Sequence, residues 1–341
     1  MSMKDRIFKS LRHISGIFPL NMMISLTGQK VFLPFYHIIS DENISHVKHL
    51  YPVPSSEKFI SDLEYLLRHF EAVSLDQYIE MKSQKKNKKC FLLSFDDGLK
   101  EVNSVIKPVL LQKGIPAHFF INPAFVDNKD LMFRYKTSLL IEQVLHTQNG
   151  KLLLEIKTRL NKVSENNDSI PEHLLQLKYH HITIIDEIAE LLQIDFSGFL
   201  KTHQPYLSLN ELKKIEKEGF SIGAHSMNHP EFQYLKIEEQ LKQIIQSIDY
   251  INKNFNQKYR TFAFPFTDYN VSATLFDIIK TKNLADYTFG GAGLKKEKYD
   301  FHFQRVPIEK TTDHIQRTIK NEYIYYLLKA PFGKNTIRRI S

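Results

Sequence analysis

Two pairs of polar residues follow apolar runs in this sequence. Asp96 and Asp97 end the stretch "FLLSFDDG" (91–98), and His225 and His229 lie in "HSMNHP" (225–230), after another apolar run. Adjacent carboxylates repel each other and cost free energy in an apolar interior. Because catalytic groups in α/β folds gather where strands end, the two pairs predict a chemical site.

The residue types indicate metal-assisted hydrolysis. Two imidazoles and one carboxylate are a common ligand set for catalytic zinc, which keeps a further position open for water. Binding to the metal lowers the pKa of that water toward ~7. His225, His229 and one aspartate would be ligands, and the other aspartate could then accept the proton of the water.

Each motif alone also has a simpler explanation. Asp-Asp-Gly is a common turn sequence, and 15 histidines make a chance His-x-x-x-His pair easy to find. The prediction of a site depends on both motifs occurring together, each after its own strand.

The elements that must position these residues alternate along the chain. Helical periodicity covers 57–70 and 236–255, and 125–207 is predicted to be a helical insertion, either a lid or a second lobe beside the site. Continuous apolar runs, typical of strands buried on both faces of a parallel sheet, cover 31–38, 89–95, 117–122, 220–225, 261–266 and 304–308. The pattern predicts an α/β fold.

The motifs resemble those of the polysaccharide deacetylases of carbohydrate esterase family 4, the nodulation-type deacetylase homology domain. "SFDDG" (94–98) is similar to the first family motif, and His225-Ser-Met-Asn-His229 to the second. The resemblance implies a distorted (β/α) barrel with fewer than eight regular strands. It also implies removal of N-acetyl, sometimes O-acetyl, groups from sugars.

The resemblance assigns roles to individual residues. Asp96 would be the general base, and Asp97, His225 and His229 would hold the metal. Ser226 would orient the metal-binding loop through hydrogen bonds. The expected cofactor is one divalent metal, with Zn²⁺ favoured and Co²⁺, Ni²⁺ or Mn²⁺ as alternatives.

The sequence departs from the family in its third motif, usually Arg-x-Pro-Tyr. Here the aligned residues are 263–266, "AFPF", so the arginine is missing. The backbone N–H of Phe266 could still bind an oxyanion, since that role needs no side chain. Arg305, in "FQRVPI", is a candidate to replace the arginine beside Asp96, unless it pairs with another carboxylate.

The source of the general acid is a second departure. The C-terminal Leu-x-His motif of the family is not evident, but "LPFYHIISD" (33–41) resembles it at the N-terminal end of the chain. Some biofilm-polysaccharide deacetylases have this permuted order. His37 is therefore favoured as the acid, with His302 as the alternative.

Composition sets further expectations. The chain has 341 residues, one cysteine and a formal net charge of +8. Predicted divisions are a basic amphipathic segment 1–30, a barrel 31–330 and a basic tail 331–341. The absence of a recognisable export signal predicts a cytoplasmic protein, with peripheral attachment to the inner membrane face as an alternative.

The expected partner is an acetylated sugar or polysaccharide. Nucleic acid is not expected, because the basic residues are not interleaved with aromatic ones. Other functions left open are an amidase acting on a non-sugar C–N bond, a carbohydrate-binding relative without activity, and a binder driven by the positive charge. The sugar, the linkage and the oligomeric state are left open.

Overall fold

The computed structural model describes residues 8, 18–163, 168–309 and 314–339. Most of the predicted amphipathic segment, with Lys4, Arg6, Lys9 and Arg12, lies outside these residues. Phe8 is described, and its ring lies 5.7 Å from that of Tyr325. Among the helices of the described ranges, none has the length and apolar character needed to cross a bilayer.

Eleven short strands are found in the described residues. They are β1 Val31–Phe32, β2 Pro34–Tyr36, β3 Glu71–Ala72, β4 Cys90–Phe91, β5 Leu93–Phe95, β6 Ala117–Ile121, β7 Ser221–Ala224, β8 Thr261–Ala263, β9 Tyr287–Gly290, β10 His302–Gln304 and β11 Val306–Pro307.

Thirteen α-helices surround these strands in the described ranges. They are α1 Leu20–Thr27, α2 Ser56–His69, α3 Leu75–Ser83, α4 Lys107–Lys113, α5 Phe133–His146, α6 Gly150–Asn161, α7 Ile170–Gln176, α8 Ile182–Leu191, α9 Phe196–His203, α10 Leu209–Lys217, α11 Ile237–Asn254, α12 Ala273–Thr281 and α13 Ile315–Lys329. A π-helical turn, Val102–Ile106, leads into α4.

The main sheet is parallel throughout and nearly closes into a barrel. Its order is β10-β9-β8-β7-β6-β5-β2-β11. The two edge strands, β10 and β11, are halves of one extended segment, 302–307, which pairs with β9 through its first half and with β2 through its second. Arg305 lies at the break between the halves. The barrel thus has seven strand positions, which confirms the predicted distorted barrel with fewer than eight regular strands.

Local sequence explains where the helices begin and what they bury. Ser208 and Glu211 form the predicted capping box at the start of α10. Helix α11 turns Ile244, Ile248 and Ile251 into the core, and each such side chain stabilises the fold by roughly 1.5–3 kcal/mol. The predicted helices 57–70 and 236–255 correspond to α2 and α11.

The insertion between β6 and β7 consists of helices α5 to α9 and has its own apolar core. Leu140, Ile156, Leu174 and Ile185 are fully buried in it. The same cluster includes Leu99, which follows β5, so the insertion is packed against the carboxyl end of the barrel.

Two segments differ from the sequence interpretation. Strand β9 was missed, because "YTFGG" contains two glycines and resembles a turn. The segment 331–341, treated as a basic tail, packs on the barrel in its described part. Ile337 is 3% exposed, and the Arg339 side chain is equally buried.

Candidate active site

The two aspartates lie at the carboxyl end of β5, in a tight backbone turn. Asp97 and Gly98 both have positive φ, 71° and 67°. A Cβ at Gly98 would come within 3.0 Å of Ile121 Cγ2, so the turn needs glycine for both conformation and space. The backbone N–H of Asp96 donates to the Tyr36 carbonyl over 2.9 Å, which ties the turn to β2.

The histidine motif follows β7 and is fixed by its own hydrogen bonds. Ser226 Oγ accepts a hydrogen bond from the His229 N–H over 3.0 Å. The Asn122 side-chain amide donates to the carbonyls of His225 and Ser226. His225 Nδ1 lies 2.8 Å from the Ala263 carbonyl, and a carbonyl can only accept. His225 therefore carries its proton on Nδ1 and turns the lone pair of Nε2 into the site.

Asp97, His225 and His229 fit a bound divalent cation. Asp97 Oδ1 lies 3.6 Å from His225 Nε2 and 3.3 Å from His229 Nε2. A tetrahedral zinc with ligand bonds of about 2.0–2.2 Å separates its ligands by roughly 3.3–3.6 Å. Asp97 Oδ1 and His225 Nε2 are buried and have no hydrogen-bond partner within the described ranges. Buried polar atoms normally have one, so a cation would satisfy both.

The protonation states of the two imidazoles agree with ligation. Burial lowers the pKa of His225 to about 4, although the aspartates oppose the shift. Burial also lowers the pKa of His229 to about 3. Both rings are therefore neutral at pH 7, as metal binding requires.

Several site residues have strained backbone. Asp97, Ser226, His229 and Phe266 all have positive φ, between 56° and 71°. Left-handed backbone at residues with a side chain costs about 1–3 kcal/mol and concentrates at functional sites. The surrounding fold must therefore hold these turns in place.

Asp96 is paired with Arg305, as the sequence suggested. Arg305 Nη1 lies 2.7 Å from Oδ1 and Nη2 2.8 Å from Oδ2, a bidentate ion pair between two buried side chains. Arg305 also donates to Ser94 Oγ and to the Gly290 carbonyl. Burial alone would raise the pKa of Asp96, but Arg305 and His225 lower it to about 2. Asp96 is therefore ionised at neutral pH.

His37, which follows β2, is held by a carboxylate that the sequence reasoning missed. Its Nδ1 lies 2.7 Å from Glu309 Oε2, and Glu309 Oε1 accepts the backbone N–H groups of His37 and Ile38. Burial alone would lower the pKa of His37, but Glu309 raises it to about 9. The imidazole is therefore protonated at neutral pH, opposite in charge to Asp96.

Phe266 lies at the mouth of the site. Its ring is 37% exposed and 4.5 Å from that of His229. Its N–H donates no hydrogen bond to a described residue. This N–H therefore remains available to a ligand.

The insertion supplies part of the site. Tyr135, in α5, donates its hydroxyl to Asp97 Oδ2 over 2.7 Å. A cavity of about 520 Å³ separates the end of the barrel from the insertion. Its lining residues include the site residues His37, Asp96, Asp97, His229, Phe266 and Arg305 and, from the insertion, Met132, Arg134 and Leu175.

The alternative acid, His302, lies outside this cavity. It is fully buried, with Nε2 3.0 Å from Asp268 Oδ2 and Nδ1 2.7 Å from Thr288 Oγ1. Asp268, Glu297 and His302 could hold a metal by their spacing. However, Arg339 binds both Asp268 Oδ2 and Glu297 Oε2, at 2.7 and 2.6 Å, and supplies the positive charge there.

Among the site residues that the sequence did not predict, Tyr135 had no local signal, whereas Asn122 ends the apolar run 117–122. Tyr135 lies in the first turn of helix α5, where an aromatic residue is usually core. Glu309 did have one, since it directly follows the apolar run 304–308, as Asp96 follows its own run.

Comparison with known families agrees with this geometry. The profile of the polysaccharide deacetylase family matches residues 83–284, more than half of the chain. The chain belongs to this family. It is accordingly a hydrolase. A sequence search of curated proteins finds no match.

Three solved structures share the fold of this chain. A Streptococcus pyogenes deacetylase, PplD in complex with acetate, has a TM-score of 0.53 at 14% identity, over 84% of this chain and 95% of that one. IcaB from Ammonifex degensii has a TM-score of 0.52 at 16% sequence identity, and the match covers 86% of this chain and 97% of that one. A de-N-acetylase from Aggregatibacter actinomycetemcomitans has a TM-score of 0.52 at 17% sequence identity, and the match covers 86% of this chain and 99% of that one.

The range of the family match includes one part of the candidate site and leaves out another. Asp96, Asp97, His225 and His229 lie inside the matched range, whereas His37, Arg305 and Glu309 lie outside it. Strand β2 lies between β5 and β11, so the N-terminal strand carries His37 to the site. This is the arrangement that the permuted motif order predicts.

Proposed function

We propose that this deacetylase removes acetyl groups from N-acetylated sugars of a polysaccharide or its precursor, with one divalent metal held by Asp97, His225 and His229. The main support is that two buried atoms without a hydrogen-bond partner among the described residues, Asp97 Oδ1 and His225 Nε2, lie close together. They lie beside a cavity that is also lined by Asp96 and His37. A metal bound there would polarise the acetyl carbonyl and lower the pKa of water. Zinc is favoured by the ligand set.

Asp96 is the group that accepts a proton from the attacking water. Arg305 keeps it ionised and fixes both of its oxygens, so the carboxylate needs no reorientation before it reacts. The adjacent aspartate, Asp97, is turned away from Arg305 toward the two histidines. The side-by-side aspartates therefore divide between proton transfer and metal binding.

His37 is the group that donates a proton to the departing nitrogen. An amine leaves poorly as an anion, so the acid must carry a transferable proton at the working pH. Glu309 keeps His37 protonated and holds its ring through Nδ1, which leaves Nε2 for the substrate. The Phe266 N–H is the proposed donor to the oxyanion that forms at the acetyl carbonyl.

The test pairs metal analysis with product analysis. The full chain, Asp96→Asn and Asp300→Asn would be assayed for bound metal and for acetate and free amine released from N-acetylated oligosaccharides. Asp300 is an exposed aspartate, 78% accessible, and serves as the control. We expect bound metal in all three proteins. Only the wild type and Asp300→Asn should release acetate and free amine, and the two products should appear in equal amounts.

Other outcomes would contradict the proposal. Absence of metal from the wild type would mean that Asp97, His225 and His229 do not hold one. Undiminished acetate release by Asp96→Asn would mean that Asp96 is not the base. Acetate without amine would indicate O-deacetylation. Bound metal without acetate from any sugar would favour another amide or a non-catalytic relative.

A further inference from the structure

Helix α1 has an apolar outer face in addition to the apolar face that packs on the protein. Leu20, Met23 and Ile24 are buried in the main core. Met22 and Leu26, four residues apart, are 47% and 62% exposed. All eight helix residues are uncharged. Residues four apart share one side of a helix, so the exposed side chains form a continuous stripe.

Phe18, two residues before the helix, adds a third exposed apolar side chain next to this stripe. It is 40% exposed. Isolated exposed apolar residues are normal, but three within nine residues are a patch.

Basic side chains border the stripe. A surface cavity of about 700 Å³ is lined on one side by Asn21 and Ser25 of α1 and on the other by Lys30, Arg68, Lys88 and Lys89. Lys89 Nζ donates to Asn21 Oδ1 over 3.0 Å, which places this cation directly against the helix. Glu71 is the one acid among the residues lining this cavity, all of which are described, and it pairs with Lys88 at 3.1 Å. The net charge of the cavity wall is therefore positive.

We propose that this surface, the patch Phe18, Met22 and Leu26 with the cations Lys30, Arg68, Lys88 and Lys89, docks on an anionic lipid bilayer. We call it the docking face. Apolar side chains beside lysines are typical of helices that lie in the headgroup region, where aliphatic groups enter the acyl boundary and cations meet lipid phosphates. Nucleic acid would use the cations but leave Met22 and Leu26 without a partner.

Strand direction places the docking face at the far end of the barrel from the catalytic cavity. Lys30, Glu71 and Lys89 directly precede or begin β1, β3 and β4, which form a separate three-stranded parallel sheet of order β1-β4-β3. Strands β1 and β4 lead directly into β2 and β5 of the barrel, so these residues lie at the amino ends of the strands. Asp96 and His225 directly follow the carboxyl ends of β5 and β7. A protein docked in this way opens its cavity away from the lipid, toward a substrate chain that extends from the surface.

Vesicle co-sedimentation with the full chain tests the proposal. Vesicles of phosphatidylcholine alone would be compared with vesicles in which about one third of the lipid is phosphatidylglycerol, at ~0.1 M and ~1 M salt. We expect binding to the anionic vesicles only, and its loss at high salt. Met22→Ser/Leu26→Ser and Lys88→Gln/Lys89→Gln should each weaken it, the latter by about fivefold per cation removed.

Matched controls lie on the insertion. Leu154, 67% exposed, would be changed to Ser, and the exposed Lys151 and Lys157 to Gln. These variants should bind as the wild type does. Acetate release from a soluble oligosaccharide should be unchanged in every variant, so that loss of vesicle binding is separable from loss of the proposed activity.

Equal binding to neutral and anionic vesicles, or wild-type binding by both double variants, would overturn the proposal. So would failure to bind any vesicle. If the chain instead formed dimers that Met22→Ser/Leu26→Ser abolished, the face would be an interface between two copies.

Discussion

Tyr135 donates its hydroxyl hydrogen to Oδ2 of Asp97 over 2.7 Å, and so joins the helical insertion to the proposed metal site. The other carboxylate oxygen, Oδ1, faces His225 and His229. The hydrogen bond therefore selects which oxygen is free to bind a metal. The insertion contributes to the site itself, beyond covering it.

Replacing Tyr135 by Phe should weaken metal binding about 10-fold to 100-fold, the usual effect of removing a hydrogen bond to a ligand. The reason is that Asp97 can then rotate and loses part of its orientation. Competition with a chromogenic chelator would measure the affinity. Tyr234→Phe, an exposed tyrosine, is the matched control. Unchanged affinity in Tyr135→Phe would mean that the hydrogen bond has only a packing role.

Arg305 and Asp96 should be strongly coupled in stability. Arg305→Met should cost about 3–5 kcal/mol, because it leaves a buried carboxylate unpaired. The double variant Arg305→Met/Asp96→Asn should recover part of that loss. Urea unfolding of both single variants and the double variant would give the coupling. Additivity within ~0.5 kcal/mol would show that the two side chains do not depend on each other.

The pair His37–Glu309 should set the alkaline limit of activity. Glu309 raises the pKa of His37 to about 9, so kcat should fall as pH rises through that value and the acid loses its proton. Glu309→Gln removes the carboxylate that raises the pKa of His37, while burial, which lowers that pKa, remains. The alkaline limit of activity should therefore move about one to three pH units lower. Glu190→Gln, on the exposed surface, is the control. An unchanged alkaline limit in Glu309→Gln would mean that a residue other than His37 is the acid.

The same pair makes a prediction for stability. The pKa of His37 is raised from 6.5 to about 9 on folding, so its contribution is complete below 6.5 and is lost as pH rises through about 9. Urea midpoints of the wild type should fall across this range more than those of Glu309→Gln. Parallel pH dependence in the two proteins would contradict the assignment.

Arg339 should hold the C-terminal segment to the barrel. Its guanidinium pairs with Asp268 and Glu297. Burial alone would raise the pKa of Asp268, but His302 and Arg339 lower it. Arg339→Met should destabilise the protein by about 3–5 kcal/mol, and the neighbouring, exposed Arg338→Met should change little. Thermal unfolding would measure both. Equal effects would mean that the buried carboxylates have another compensating partner.

The sequence was most informative where function depends on neighbouring residues. Asp96 and Asp97 are close in the chain, as are His225 and His229. The predicted strand ends and the spacing within each motif were therefore enough to predict that the two pairs form one site. Arg305 could be named because the arginine of the third family motif is missing from 263–266, so another arginine was a candidate to lie beside Asp96. Tyr135 could not be predicted, because its partner is 38 residues away, beyond helix α4, strand β6 and an irregular loop. The Glu309–His37 contact depends on closure of the whole barrel.

Barrel closure also imposes an order on the making of the enzyme. Glu309 and His37 are 272 residues apart in sequence, and the segment 302–307 joins β9 to β2. During synthesis β2 leaves the ribosome long before its second neighbour, β11. Until then the free edge of β2 is open to wrong pairing. His37 meets Glu309 and Asp96 meets Arg305 in the same step. Both proposed catalytic groups therefore reach their partners only when the barrel closes.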